Sequence, residues 1–123
     1  IGTKGSASVP GLTTAAEDLM AFTPTTLGAA TAGSWALYLD GSDVGLTGQA
    51  RVDAVALASN GDLYLSTVGL FNLGVVSGDN EDVIICASFT SGADTACTFS
   101  PSLYFDGSLW GLVADNVDSI GLP

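Results

Sequence analysis

The sequence predicts an all-β protein made of two tandem antiparallel repeats, and three observations predict it. The first is composition: 16 of the 123 residues are Gly, while only 12% are Asp, Glu, Lys or Arg. Glu, Lys and Arg favour helix surfaces, so their scarcity argues against helices. The second is segmentation, because strand-like stretches alternate with turns rich in Gly, Asn, Asp and Ser. The third is internal similarity. A shift of 64 residues puts Thr3 on Thr67, Gly5 on Gly69, Glu17 and Asp18 on Glu81 and Asp82, and Thr31 on Thr95. Past two residues inserted near Ser100 and Pro101, a shift of 66 puts Tyr38 on Tyr104, Asp40, Gly41 and Ser42 on Asp106, Gly107 and Ser108, and Gly45 on Gly111. After one deletion, a shift of 65 puts Val52 and Asp53 on Val117 and Asp118, and Leu57 on Leu122. The expected repeats are 1–58 and 59–123, each entered or left partway through a unit, within one cooperative β domain.

The elements follow in order. Residues 52–58 mix apolar and small side chains as a buried strand does, and 63–68 form its partner. Between them Asn60 and Gly61 predict a tight hairpin with positive φ angles. A loop holding Gly74, Gly78, Asp79 and Asn80 leads to a strand over 82–87, then strands over 97–100 and 102–105. Four sequentially paired strands per repeat form a meander of the kind that builds propeller blades.

Hydrophobic residues make up 47% of the chain, enough for a core, yet no apolar run reaches the roughly 18 residues of a membrane span. Two basic residues (Lys4 and Arg51) face thirteen acidic ones, for a net charge of −11. Phosphate backbones and anionic lipid surfaces recruit Lys and Arg, so neither nucleic acid nor a membrane is expected as a partner. The first residue is Ile, which suggests that a leader was removed or that the chain was excised from a longer one.

Cys86 and Cys97 are eleven residues apart on consecutive strands, and the equivalent positions in the first repeat are Phe22 and Gly33. Both thiols are missing there together, as a cross-hairpin disulfide predicts. Such a bond implies an oxidising compartment, and hence an extracellular or cell-surface location.

No catalytic constellation emerges. The chain has no His, no Ser beside a base, and no Gly-x-Ser-x-Gly elbow. The repeated acidic pairs behave as structure, since an active site normally breaks such symmetry. Asp40, Asp43 and Asp106 beside Gly resemble a fragment of a calcium loop, with ordinary turn chemistry as the competing reading. Beyond that candidate calcium, no cofactor is expected. Trp110 aligns with Val44, so the repeat does not require it, and it is a candidate for stacking on a sugar ring.

The stretches 17–28, 33–46 and 61–67 (the last reading Gly-Asp-Leu-Tyr-Leu-Ser-Thr) resemble a tandem β-repeat found in large secreted or surface-anchored bacterial proteins. The string from Asp40 through Ser42, Asp43, Val44 and Gly45 to Leu46 is its most specific part, and the second repeat departs from it at Leu109 and Trp110. The resemblance implies a structural role at the cell surface and no enzymatic activity.

The two repeats leave complementary strands at opposite ends of the chain. Val117, Asp118, Ile120 and Leu122 match one strand of the central hairpin, and Ile1, Gly2, Thr3 and Lys4 match its partner. Unpaired strands invite pairing with another chain. A head-to-tail contact of that kind builds a ring or a filament. The expected partner is therefore another copy of the chain, and the expected product is a fibre or surface layer. The alternative is a propeller-like adhesin module that binds carbohydrate or calcium.

Overall fold

The computed structural model describes residues 1–3 and 5–123, so the assembly position expected at Lys4 lies outside the described residues. The fold is all-β: the described residues form four small antiparallel sheets, none of them closed, and two single turns of 3-10 helix. The largest sheet has the order β10-β9-β6-β5, built from Val52–Leu57 (β5), Leu63–Thr67 (β6), Ile84–Thr90 (β9) and Ala96–Phe99 (β10). Three two-stranded sheets pair Ala7–Val9 (β1) with Leu12–Thr14 (β2), Leu19–Thr26 (β3) with Ala32–Leu39 (β4), and Phe71–Asn72 (β7) with Ser77–Gly78 (β8). The 3-10 turns span Ser42–Val44 and Gly107–Trp110.

The core lies where these sheets meet. Leu39, Leu46, Leu63 and Leu65 are fully buried, and Leu19, Val52, Phe71, Ile84 and Cys86 close around them. On β6, Leu63 and Leu65 face inward while Tyr64 is only half-buried, the period-two alternation of a strand with one face on the core. Tyr64 meets Tyr104 edge to face, with ring centroids 4.7 Å apart.

Several expected boundaries need correction. The 58–62 connection is a three-residue turn in which only Gly61 has positive φ (90°); Asn60 does not share that conformation. The Asn60 side chain instead braces the turn, its Oδ1 accepting from the Asp62 N–H at 3.1 Å. A Gly in the left-handed region at the third loop position is the usual solution for hairpins of this length. The strand expected over 82–87 starts at Ile84 and continues to Thr90. Residues 102–105 are not a strand: their backbone reaches the margin of the sheet only at Val83, which bridges to Phe105 and also accepts the Tyr104 N–H. The equivalent part of the first repeat is the end of the unbroken β4. The insertion explains the break, because Pro101 has no N–H to give a ladder. The first sheet holds only β3 and β4, joined on one edge by Ile1 and Gly2, so the described residues form one four-stranded meander rather than two.

Matching positions make matching bonds. The Asp18 carboxylate accepts the N–H of Ala15 (2.7 Å) and of Gly41 (2.9 Å). Its counterpart Asp82 accepts those of Asp79 and Gly107, both at 3.0 Å. The Thr3 and Thr67 hydroxyls donate to the carbonyls of Gly5 and Gly69. Those of Thr31 and Thr95 donate to Gly28 and Gly92. Each 3-10 turn ends on a left-handed Gly, Gly45 at φ 84° and Gly111 at φ 85°.

Cys86 and Cys97 form a disulfide across β9 and β10. In the β3–β4 hairpin the same place is filled by an aromatic ring. Phe22 lies over Gly33 so closely that a Cβ there would sit 2.7 Å from the ring, and Phe22 also packs on Trp35 with centroids 4.7 Å apart. Replacing both cysteines with alanine is expected to lower stability by just under ~3 kcal/mol, the chain-entropy value for a loop of this size. A denaturation midpoint equal to that of the parent protein would contradict this.

Candidate assembly interface

The residues expected to mediate assembly lie at one end of the β3–β4 sheet. The Ile1 amino group donates to the Met20 carbonyl at 2.7 Å, and the Met20 N–H donates back to the Ile1 carbonyl at 2.8 Å. Gly2 continues the pairing as an antiparallel bridge to Leu19. Successive residues of a strand direct their N–H and C=O to opposite edges, so those of Gly2 face away from β3. They make no hydrogen bond to any other described residue. The strand does not run on into Ala7, which belongs to the separate β1–β2 hairpin. The ladder here is two residues long, with an open outer edge.

The tail lies beside that edge. Val117 is anchored at both backbone groups: its N–H donates to Asn80 at 2.9 Å and its carbonyl accepts from the buried Ser66 hydroxyl at 2.5 Å. Ser66 also accepts the Ala54 N–H at 3.1 Å, which ties the tail to the irregular start of β5. The Asn116 amide donates to the Asp53 carboxylate. Beyond Val117 the expected strand is absent. Asp118, Ile120 and Leu122 belong to no sheet and make no hydrogen bond to another described residue, although Ile120 and Leu122 are half-buried. A groove of about 430 Å³ separates the tail from the free edge, lined by Gly2, Thr3, Val52, Asp53, Asn116 and Asp118. A second, apolar groove of about 350 Å³ runs past Ile1 between Met20, Ala21, Tyr38, Val55 and Leu57.

A third region joins the β3–β4 sheet to the larger one. The loop at residues 92–95 rests on the end of β4: the Gly92 N–H donates to the Tyr38 carbonyl at 3.0 Å, and the Asp40 N–H donates to Thr95 Oγ1 at 2.8 Å. The Thr95 N–H in turn donates to Asp43 Oδ2 at 3.0 Å. Phe89 adds an aromatic contact with Tyr38, with centroids 5.2 Å apart.

The candidate calcium ligands each have a hydrogen-bond partner within the fold. Asp40 Oδ1 accepts from the Ser42 N–H and hydroxyl, Asp106 Oδ1 accepts from the Ser108 hydroxyl, and Asp43 holds Thr95 as described. No three acidic, His or Cys side chains among the described residues converge as a metal site would need. Trp110 is 77% exposed and continuous with the exposed Leu109. Sequence reasoning missed the roles of Asp18 and Asp82. The available signal was that each recurs in register with a Gly, at positions 41 and 107.

Comparison of the chain with protein-family models, with curated proteins and with solved structures found no match.

Proposed function

We propose that this is a non-enzymatic extracellular structural protein. Each chain carries two blade-like repeats of the tandem β-repeat kind, and copies join head to tail by strand pairing into a fibre or surface layer. The observation that carries this reading is the open edge of Gly2 beside a tail that makes no hydrogen bond past Val117 among the described residues. Within the chain, β5 leaves the β3–β4 unit and pairs with β6 of the next unit. Residues 117–122 match β5, and residues 1–3 match the end of β6. The same exchange between copies would satisfy both, and backbone pairing along an edge is a general route to such assembly.

Deleting residues 118–123 tests this cleanly, because none of the bonds that hold Asn116 and Val117 is lost. The shortened chain is expected to be monomeric by light scattering at concentrations where the full chain forms multimers, with a melting temperature within about 2 °C of the parent. Multimers of unchanged size would refute strand exchange. So would a full chain that stays monomeric at high concentration.

A carbohydrate- or calcium-binding adhesin is the second reading, favoured only by the exposure of Trp110. Titration against a glycan panel with and without calcium decides it: no heat in either series removes it.

A further inference from the structure

The joint inside the chain has an unused counterpart on its surface. The 92–95 loop matches residues 28–31, and the face it rests on, Tyr38 to Asp43, matches Tyr104 to Leu109. The two loops share a conformation: Gly28 and Gly92 both have positive φ (91° and 114°), and each Thr hydroxyl closes on its Gly carbonyl at 2.6 Å. Their surroundings differ. Thr95 is buried, whereas residues 28–31 are all exposed. At the internal joint Tyr38 and Val44 are half-buried and Leu39 is fully buried, while their matches Tyr104 and Trp110 are 53% and 77% exposed and Phe105 is half-buried; Leu109, in the place of the exposed Asp43, is 77% exposed.

We propose that the 28–31 loop of one copy docks on the Tyr104–Leu109–Trp110 face of another, repeating between chains the joint made within each chain. This rests on the head-to-tail reading and names a second contact for it. A copy whose first strands receive the tail of its neighbour places its 28–31 loop on that neighbour's second repeat. The 92–95 loop stands in the same relation to the first repeat inside the chain.

The backbone groups needed are free. The Tyr104 carbonyl and the Asp106 N–H have no partner among the described residues, while their equivalents at Tyr38 and Asp40 are the groups bonded to the loop. The incoming Gly28 N–H, likewise without a partner, donates to Tyr104, and Thr31 Oγ1 accepts from Asp106. The third internal bond, from Thr95 N–H to Asp43, has no equivalent because Leu109 replaces the carboxylate. That loss leaves nothing stranded, since the Thr31 N–H already donates to the Gly28 carbonyl at 3.2 Å. The substitutions on the two sides match in character. Where the internal joint has Ser91, Asp94 and Asp43, the surface counterpart has Leu27, Ala30 and Leu109. Apolar residues therefore appear on both sides, which suits association between two acidic chains better than carboxylates would. Thr25 stands in for Phe89, so the burial lost at Tyr104 is supplied by Leu27, Leu109 and Trp110.

The test is charge insertion on each side separately, with Leu27→Glu beside the loop and Trp110→Glu on the face, whose internal counterparts Ser91 and Val44 carry no charge. Both positions are exposed, so folding is expected to be unchanged by circular dichroism. Each variant is expected to associate at least ~10-fold more weakly than the parent, which corresponds to about 1.4 kcal/mol. An equimolar mixture is expected to yield 1:1 dimers that grow no further, because each variant keeps one intact end. Trp110 emission in the parent should shift to the blue as concentration rises. If deleting residues 118–123 abolishes multimers while both Glu variants assemble normally, loop docking is wrong and strand exchange stands. A parent that never associates overturns both. Emission that responds to a glycan and not to protein concentration assigns the face to sugar and overturns the proposal.

Discussion

Asp82→Ala is expected to remove about 3–5 kcal/mol of folding stability, enough to unfold a large fraction of a marginally stable domain. The carboxylate is only 5% exposed and serves two donors, the N–H of Asp79 and of Gly107. A hydrogen bond to a charged acceptor contributes roughly 1.5–3 kcal/mol, and a buried N–H left without an acceptor keeps its full desolvation cost. Gly107 is buried, so water cannot take over as its acceptor. Asp18→Ala should behave alike, since its bonds to Ala15 and Gly41 are the same two in the first repeat. Asp82→Asn should lose about half as much, because one amide oxygen can still accept. Urea denaturation monitored by Trp fluorescence reads these differences. A midpoint for Asp82→Ala corresponding to a loss of less than ~1 kcal/mol would show that the clamp does not hold the unit.

Gly107→Ala is expected to cost at least ~3 kcal/mol, at the upper end for overpacking, for a reason unrelated to backbone freedom. A Cβ there would lie 2.4 Å from the Glu81 carbonyl oxygen and 2.9 Å from the Glu81 Cβ and Cγ. The obstacle is largely backbone, and Glu81 is itself buried beside Asp82, so the neighbour has little room to retreat. Gly41→Ala meets the same wall at Glu17, 2.5 Å from its carbonyl oxygen. Gly121→Ala is the control: nothing lies within 4 Å, and thermal melts should match the parent. If Gly107→Ala melted with that control, the close packing of the 3-10 turn on Glu81 would not be a constraint.

These two positions show how far the sequence can be read. The β5–β6 hairpin was legible because its strands are long enough to display apolar positions and a turn pair between them. The disulfide was legible because Phe22 and Gly33 replace both cysteines at once. The β1–β2 and β7–β8 hairpins were not, since strands of two or three residues are too short to show a period. Polar contacts distant in sequence were equally hidden, such as the Asp82 carboxylate reaching across to the Gly107 N–H, 25 residues away. Asp43 illustrates the same limit from the site side. Its neighbours Asp40 and Gly41 suggest a cation loop, yet its partner in the fold is Thr95, 52 residues away. Pro101 announced a break that the strand expected over 102–105 ignored. Local pattern identified the repeats, and long-range polar contacts decided how they pack.

The two outer hairpins are secured by different means, a covalent bond at Cys86 and Cys97 and a ring resting on Gly33 at Phe22. Under tension along an assembled thread the two would not yield alike. The stapled half resists opening until its sulfur bond is reduced, while the ring-locked half can peel and reseat without any chemistry. In the thread proposed above, each copy would thus set one covalently closed hairpin beside one held by packing alone.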